Sequence, residues 1–240
     1  FKNCQECKVT HLKICGFRTS EHILTAIEAG ADSIGLVFVE GVARSLNVVE
    51  AGGVLKEVRS KSKDLPEFVG LFADQPFEQV NEYIEMLKLD AVQLCGNESM
   101  DYCSHISIPI YKVITVDPLV PIAAQMPRIM LMQQRHALAG HKIIIDTKVS
   151  GEFGGTGQSF DWDLAADLAN SFEMTLAGGL SIDNIGQALD QVRPWGVDTS
   201  SGVETDGQKD HAKIIDFAAV VRGRDLAKKG HSLFRFFRRT

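Results

Sequence analysis

The chain has 240 residues, 45% of them hydrophobic and 23% charged, with a formal net charge of −6. That balance fits a soluble globular protein with a sizeable apolar core, and it argues against a nucleic-acid-binding surface over most of the molecule. No apolar run approaches the roughly 18–20 residues of a membrane-crossing helix, and five irregularly spaced cysteines do not make a disulfide framework.

The first ten residues hold Cys4-x-x-Cys7, half of a zinc pattern. A structural zinc site wants four ligands, no second CxxC follows, and His11 adds one at most. Residues 1–10 therefore read as an incidental, disordered leader. No signal peptide is legible, and the opening Phe1 leaves room for chain upstream. A reducing cytoplasm is the expected setting.

From residue 11 onward, short apolar or β-branched runs alternate with longer amphipathic ones. The strand-like runs are "HLKIC" (11–15), "SIGLVF" (33–38), "FVGLF" (68–72), "AVQL" (91–94), "IYKVIT" (110–115), "KIIID" (142–146), "EMTLAG" (173–178) and "WGVDTSS" (195–201). Most are bounded by Gly, Asp or Ser, as buried parallel strands are. Between them, "SEHILTAIEAG" reads as a helix capped by Ser20 and stopped at Gly30. "PFEQVNEYIEMLK" starts with Pro76, which a first helical turn accepts, and lines up Val80, Ile84 and Leu87 on one face. "SIDNIGQALDQV" repeats the scheme, with Ser181 as cap and Ile185, Ala188, Leu189 and Val192 inward. In "VPIAAQMPRIMLMQQRHALA", Pro127 is expected to break or kink the helix.

Eight strand–helix units without a Pro/Ser/Gly-rich linker predict one α/β domain over 11–223, a closed (β/α)8 TIM barrel rather than an open sheet. Such a barrel carries its chemistry on the loops after the strand C-termini. Strand six is followed by "EFGGTGQSFDW", strand seven by "AGGLS" and strand eight by "DTSSGVE". Gly154, Gly155, Thr156 and Gly157, then Gly178 and Gly179, then Ser200, Ser201 and Gly202, are tight βα turns or a phosphate cradle of converging backbone N–H groups. Recurrence in three consecutive units favours the cradle. Strand one ends in Cys15 and strand six in Asp146. Each alone could be structural, a buried thiol or a loop-organising carboxylate. Facing each other across a barrel mouth beside a phosphate site, they suit acid–base isomerisation.

These blocks resemble the phosphoribosylanthranilate isomerase family of tryptophan biosynthesis. The match runs in order through "KICG" (13–16), "EAGADSIGLVF" (28–38), "VGLFADQP" (69–76), "LDAVQLCGNES" (89–99), "IIIDT" (143–147), "GGTGQSFDW" (154–162), "LAGGLSIDNI" (176–185) and "RPWGVDTSSGVE" (193–204). The resemblance implies an Amadori rearrangement of N-(5′-phosphoribosyl)anthranilate without metal or cofactor, with Cys15 as general base and Asp146 as general acid. It implies phosphate contacts from the three glycine-containing loops. It sets Arg44 against the anthranilate carboxylate, or else as a solvated surface group, and Asp198 near the substrate or as a loop organiser. How the Cys15 thiol would be made basic enough is not legible. Two departures stand out: "VAR" (42–44) replaces the family's Ser-Pro-Arg, and Cys95-Gly96-Asn97 replaces His-Gly-Asp.

The expected partner is a phosphorylated small molecule, not nucleic acid, and the oligomer is a monomer or homodimer, with a fusion or pathway complex left open. The last stretch, 224–240, carries six Lys or Arg against one Asp, which leaves the preceding 223 residues near −11. It reads as a solvated basic tail or the start of a fused neighbour. A histidine-pathway aminoaldose isomerase and a catalytically inert phosphosugar-binding barrel are the rival readings.

Overall fold

The computed structural model describes residues 9–117, 119–147 and 162–237, with the side chains of 147 and 228–237 outside that description. Eight strands close into a parallel barrel in sequence order: β1 (His11–Cys15), β2 (Ser33–Val37), β3 (Glu67–Phe72), β4 (Ala91–Leu94), β5 (Ile110–Val116), β6 (Lys142–Thr147), β7 (Thr175–Ala177) and β8 (Gly196–Thr199). Helices follow them in turn: α1 (Ser20–Glu28), α2 (Val48–Lys61), α3 (Phe77–Leu87), α4 (Met100–Ser104), α5 (Ile122–Leu138), α6 (Trp162–Ser171), α7 (Ile185–Gln191) and α8 (His211–Phe237). The expected (β/α)8 barrel is the observed one. A small antiparallel hairpin, β9 (Glu204–Thr205) and β10 (Gln208–Lys209), sits between β8 and α8.

Each strand is buried on both faces, which is why the runs look continuously apolar. Leu12, Ile14, Ile34, Leu36, Ile143 and Ile145 face outward into the large core beneath the helices. Val69, Ala91, Tyr111, Val113, Ile144 and Ala177 fill the barrel itself. Polar side chains plug the N-terminal end. Glu67 accepts hydrogen bonds from the Ser33 hydroxyl (2.7 Å) and the Tyr111 hydroxyl (2.6 Å), and His11 stacks on Trp195 with ring centroids 4.6 Å apart.

Chain closure joins β1 to α8. The Thr10 N–H and hydroxyl both donate to the buried Asp225 carboxylate, and Arg222 donates to the Thr10 carbonyl and to Asp32 (both 2.6 Å). The last helix thus runs beyond 223 without interruption. Cys4 and Cys7 lie outside the described residues.

Helix starts depart from the expected caps. Thr19, not Ser20, occupies the cap position of α1, and its hydroxyl meets His22 Nδ1 at 2.7 Å. Asn184, not Ser181, occupies that of α7, because the Ser181 carbonyl already accepts from the Asn184 and Ile185 N–H groups in a preceding turn. Helix α3 buries Val80, Ile84 and Leu87 as expected, but Pro76 is its cap residue and the first turn begins at Phe77. Pro127 lies inside α5 without ending it. The carbonyl that loses its donor belongs to Ala123, and both residues are exposed, so water can satisfy it.

Candidate active site

Alternation along β1 sends Leu12 and Ile14 outward, so Lys13 and Cys15 point into the barrel. The same alternation along β6 turns Asp146 inward, next but one to Ile144. Only β7 and β8 separate the two strands around the ring, so the pair is not directly opposed across the mouth as expected; β5 is the strand across from β1. Cys15 and Asp146 thus share the C-terminal rim, Cys15 buried and Asp146 half-buried.

Lys13 is fully buried, and its ammonium donates to Asp198 of β8 at 2.8 Å. Burial is the largest single influence and penalises that charge, but Asp198 together with the neighbouring Cys15 and Cys95 outweighs it and holds the Lys13 pKa above its usual value. Among the described residues, the second carboxylate oxygen of Asp198 is buried without a hydrogen-bond partner. Burial pushes the Cys15 thiol above the ordinary thiol range, while the neighbouring Lys13 and Lys209 charges pull the other way and only partly offset it. Lys13 is therefore the cation beneath the thiol that favours its thiolate.

Room for the thiol comes from β2. Gly35 pairs with Cys15 in register, and a Cβ at Gly35 would stand 2.5 Å from Cys15 Sγ and 3.0 Å from its Cα. Gly35→Ala should therefore displace Cys15 and lower kcat while the far-ultraviolet circular dichroism stays native. Unchanged kcat would mean that the thiol's position is not critical.

The loops after β7 and β8 are joined. Gly178 and Gly179 take left-handed conformations (φ 88° and 64°), which side chains adopt poorly. Thr199 Oγ1 donates to the Leu180 carbonyl (2.8 Å), tying this turn to the one that follows β8. There Ser200 donates to the Cys15 carbonyl (3.0 Å), and Ser201 and Gly202 form a short 3-10 turn over Ser201–Val203. The Ser200 hydroxyl is thus committed to holding β1. Gly154, Gly155, Thr156 and Gly157 lie outside the described residues.

Arg44 stands on the loop after β2, whose far end is fixed by the reciprocal Asn47–Glu50 cap of α2. Its guanidinium grips Glu204 in a two-pronged ion pair, with Nε and a terminal nitrogen each 2.7 Å from a carboxylate oxygen. Lys209 Nζ reaches the same carboxylate at 2.5 Å. Burial alone would raise the Glu204 carboxyl, but hydrogen bonds from Arg44 and Lys209 prevail and hold it below the usual range. Gly16, Arg18, His22, Arg44, Glu204 and Lys209 line a cleft of about 520 Å³, whose walls include Gly16 but not Cys15 itself.

Comparison with known proteins bears on this site. The family model for N-(5′-phosphoribosyl)anthranilate isomerase matches residues 12–220. The chain belongs to that family. The isomerase of Pseudomonas fluorescens is 40% identical over 215 residues, covering 88% of this chain and 94% of the relative, and that of Roseiflexus castenholzii is 36% identical over 215 residues, covering 88% and 97%. The crystal structure of the Thermotoga maritima phosphoribosylanthranilate isomerase superposes with a TM-score of 0.76 at 32% identity, covering 89% of this chain and 99% of that one. A family structure in complex with reduced 1-(o-carboxyphenylamino)-1-deoxyribulose 5-phosphate gives a TM-score of 0.73 at 30% identity with the same coverage.

Within this phosphoribosylanthranilate isomerase barrel, Cys15, Asp146, Asp198, Gly178, Gly179 and Ser200 gather on the rim or just beneath it. Arg44 is held at its edge by Glu204. Sequence reasoning missed Lys13, Glu204 and Lys209. Strand alternation could have found Lys13, two residues before Cys15 and on its face. Asp206-Gly207, a strong hairpin dipeptide, could have found the turn that carries Glu204 and Lys209 to the mouth. At the substituted position after β4, Cys95 is a thiol that burial pushes up to about 12, with Gln93 Nε2 3.6 Å from its sulfur. Asn97 there is held by its own N–H to Asp74 (2.6 Å).

Proposed function

We propose that this protein catalyses the Amadori rearrangement of N-(5′-phosphoribosyl)anthranilate to 1-(2-carboxyphenylamino)-1-deoxyribulose 5-phosphate, with Cys15 as general base and Asp146 as general acid. The single observation that carries the reading is the inward-facing Cys15 above the Lys13–Asp198 pair, on the same rim as Asp146. Asp146 donates its proton to the ribose ring oxygen, the C1–O bond opens, and the nitrogen lone pair forms the Schiff base. Cys15 as thiolate then takes the proton from C2, giving an enolamine that tautomerises to the ketone. Because burial raises its pKa, Cys15 is a stronger base once ionised, and Lys13 supplies the counter-charge that keeps the thiolate attainable.

The substrate's phosphate would lie against the turns at Gly178 and Gly179 and at Ser200, Ser201 and Gly202, joined by 154–157. The reaction needs no cofactor in this scheme. A cytoplasmic setting belongs to the same proposal, since Cys15 must stay a free thiol. Complementation of a tryptophan auxotroph lacking this isomerase tests the function, with Cys15→Ser as control. Purified protein that turns over only the histidine-pathway aminoaldose would overturn it.

Arg44 would meet the anthranilate carboxylate, sharing its guanidinium between that group and Glu204. Arg44→Met should then raise KM more than it lowers kcat, and Arg44→Lys should restore little, because a lysine lacks the planar fork. Equal KM in wild type and Arg44→Met would remove Arg44 from the substrate site.

A further inference from the structure

We propose a transition-metal site on the outside of the barrel, formed by Cys103, His136 and His141 and suited to Zn(II). One ligand atom from each residue lies within 4.8 Å of the other two, and the Nδ1 atoms of His136 and His141 stand 2.9 Å apart in a hydrogen bond that a bound ion would replace. The three donors come from different segments: Cys103 from α4, His136 from the last turn of α5, and His141 from the position just before β6. Backbone geometry holds the two histidines together. The His141 N–H donates to the His136 carbonyl at 3.0 Å, across the turn made by Gly140 at φ 79°.

One thiol and two imidazoles form a borderline-soft donor set, which suits zinc or cobalt and not magnesium or calcium. The spacing His136-x4-His141 falls within the range of paired zinc histidines. Zinc–sulfur and zinc–nitrogen bonds of about 2.3 and 2.0 Å set tetrahedral ligand atoms roughly 3.3–3.6 Å apart. Small side-chain shifts bring the present donors to that geometry, with water as fourth ligand. Cys103 and His136 are buried while His141 is half-buried, so an ion can enter past His141. The nearby charges, Lys112 and Glu98, form a buried ion pair and offset each other. Binding replaces the proton on Cys103 Sγ with the metal, and that proton passes to solvent.

This cluster lies at the end of the barrel where β6 begins, opposite the rim that carries Cys15 and Asp146. In this fold that end serves stability. The ion would tie α4, α5 and the start of β6 together and take no part in the isomerisation.

The test uses the full chain with Cys4→Ser and Cys7→Ser, which removes the other thiol pair, stripped with chelator and dialysed against Co(II) or Zn(II). The expected results are one retained ion per chain, a thiolate-to-cobalt charge-transfer band, a higher Tm with Zn(II), and unchanged kcat. Cys103→Ser on this background should lose the charge-transfer band. His141→Gln, at a half-exposed position that need not disturb folding, should weaken ion retention. No retained ion, or a charge-transfer band that persists in Cys103→Ser, would overturn the site.

Discussion

Cys15→Ser should lower kcat by about 10²- to 10⁴-fold, with KM close to that of the parent, because general acid–base groups contribute on that scale. The substitution changes one atom and keeps the shape of a side chain that is 7% exposed, so the packing against Gly35 is preserved. What it removes is an ionisable proton acceptor, since a serine hydroxyl does not ionise in the range where a thiol does. Asp146→Asn should produce a loss of the same order by removing the proposed proton donor to the ring oxygen. In the proposed scheme the two roles fall in successive steps of one reaction, so the double variant should lose less than the product of the single effects. Steady-state kinetics on phosphoribosylanthranilate, with circular dichroism as the folding check, measure all three. A near-normal kcat in either single variant would exclude that residue from proton transfer.

How much of this was legible in the sequence depends on the length scale of the interaction. The eight strands were legible because both of their faces are buried, which leaves short apolar runs between polar turns; 11–15 and 91–94 coincide with β1 and β4. Helix caps were less so. A Ser ahead of an apolar run has the right chemistry at several neighbouring positions, and backbone geometry chose Thr19 and Asn184 instead. Pro127 does not end α5, because its cost depends on whether the orphaned carbonyl is wet, which the sequence does not reveal. Lys13 was overlooked because a lysine in a strand normally looks like a solvent-facing residue. Only closure of the barrel makes the inner face of β1 a dry place, and only Asp198, 185 residues later, makes a charge tolerable there. The Arg44–Glu204 pairing, across 160 residues, is non-local in the same way. Cys15, by contrast, acquires its meaning from strand order alone, which sets it on the same rim as Asp146.

Lys13→Met should destabilise the protein by about 3–5 kcal/mol, since it leaves the Asp198 carboxylate buried without its counter-ion. Lys13→Met combined with Asp198→Asn should recover much of that loss, because the second change removes the stranded charge. Equilibrium denaturation by urea measures both. The catalytic consequence separates from stability in the reactivity of Cys15. Methanethiosulfonate modification, followed on the Cys15 peptide by mass spectrometry, tracks the thiolate fraction, so its rate should rise with pH through a midpoint above the ordinary thiol range. Lys13 favours the thiolate, and its loss should move that midpoint further up and slow modification at neutral pH. In the stable double variant Asp198→Asn lifts a repulsion on the thiolate, but the Lys13 attraction lost is the larger of the two, so Cys15 should still be less readily ionised than in the parent. The kcat of that variant should then be low at normal KM even though the fold is sound. Should the Cys15 midpoint and kcat of the double variant equal those of the parent, Lys13 would serve only to neutralise Asp198, and the thiolate would draw its stabilisation from Lys209 at the hairpin instead.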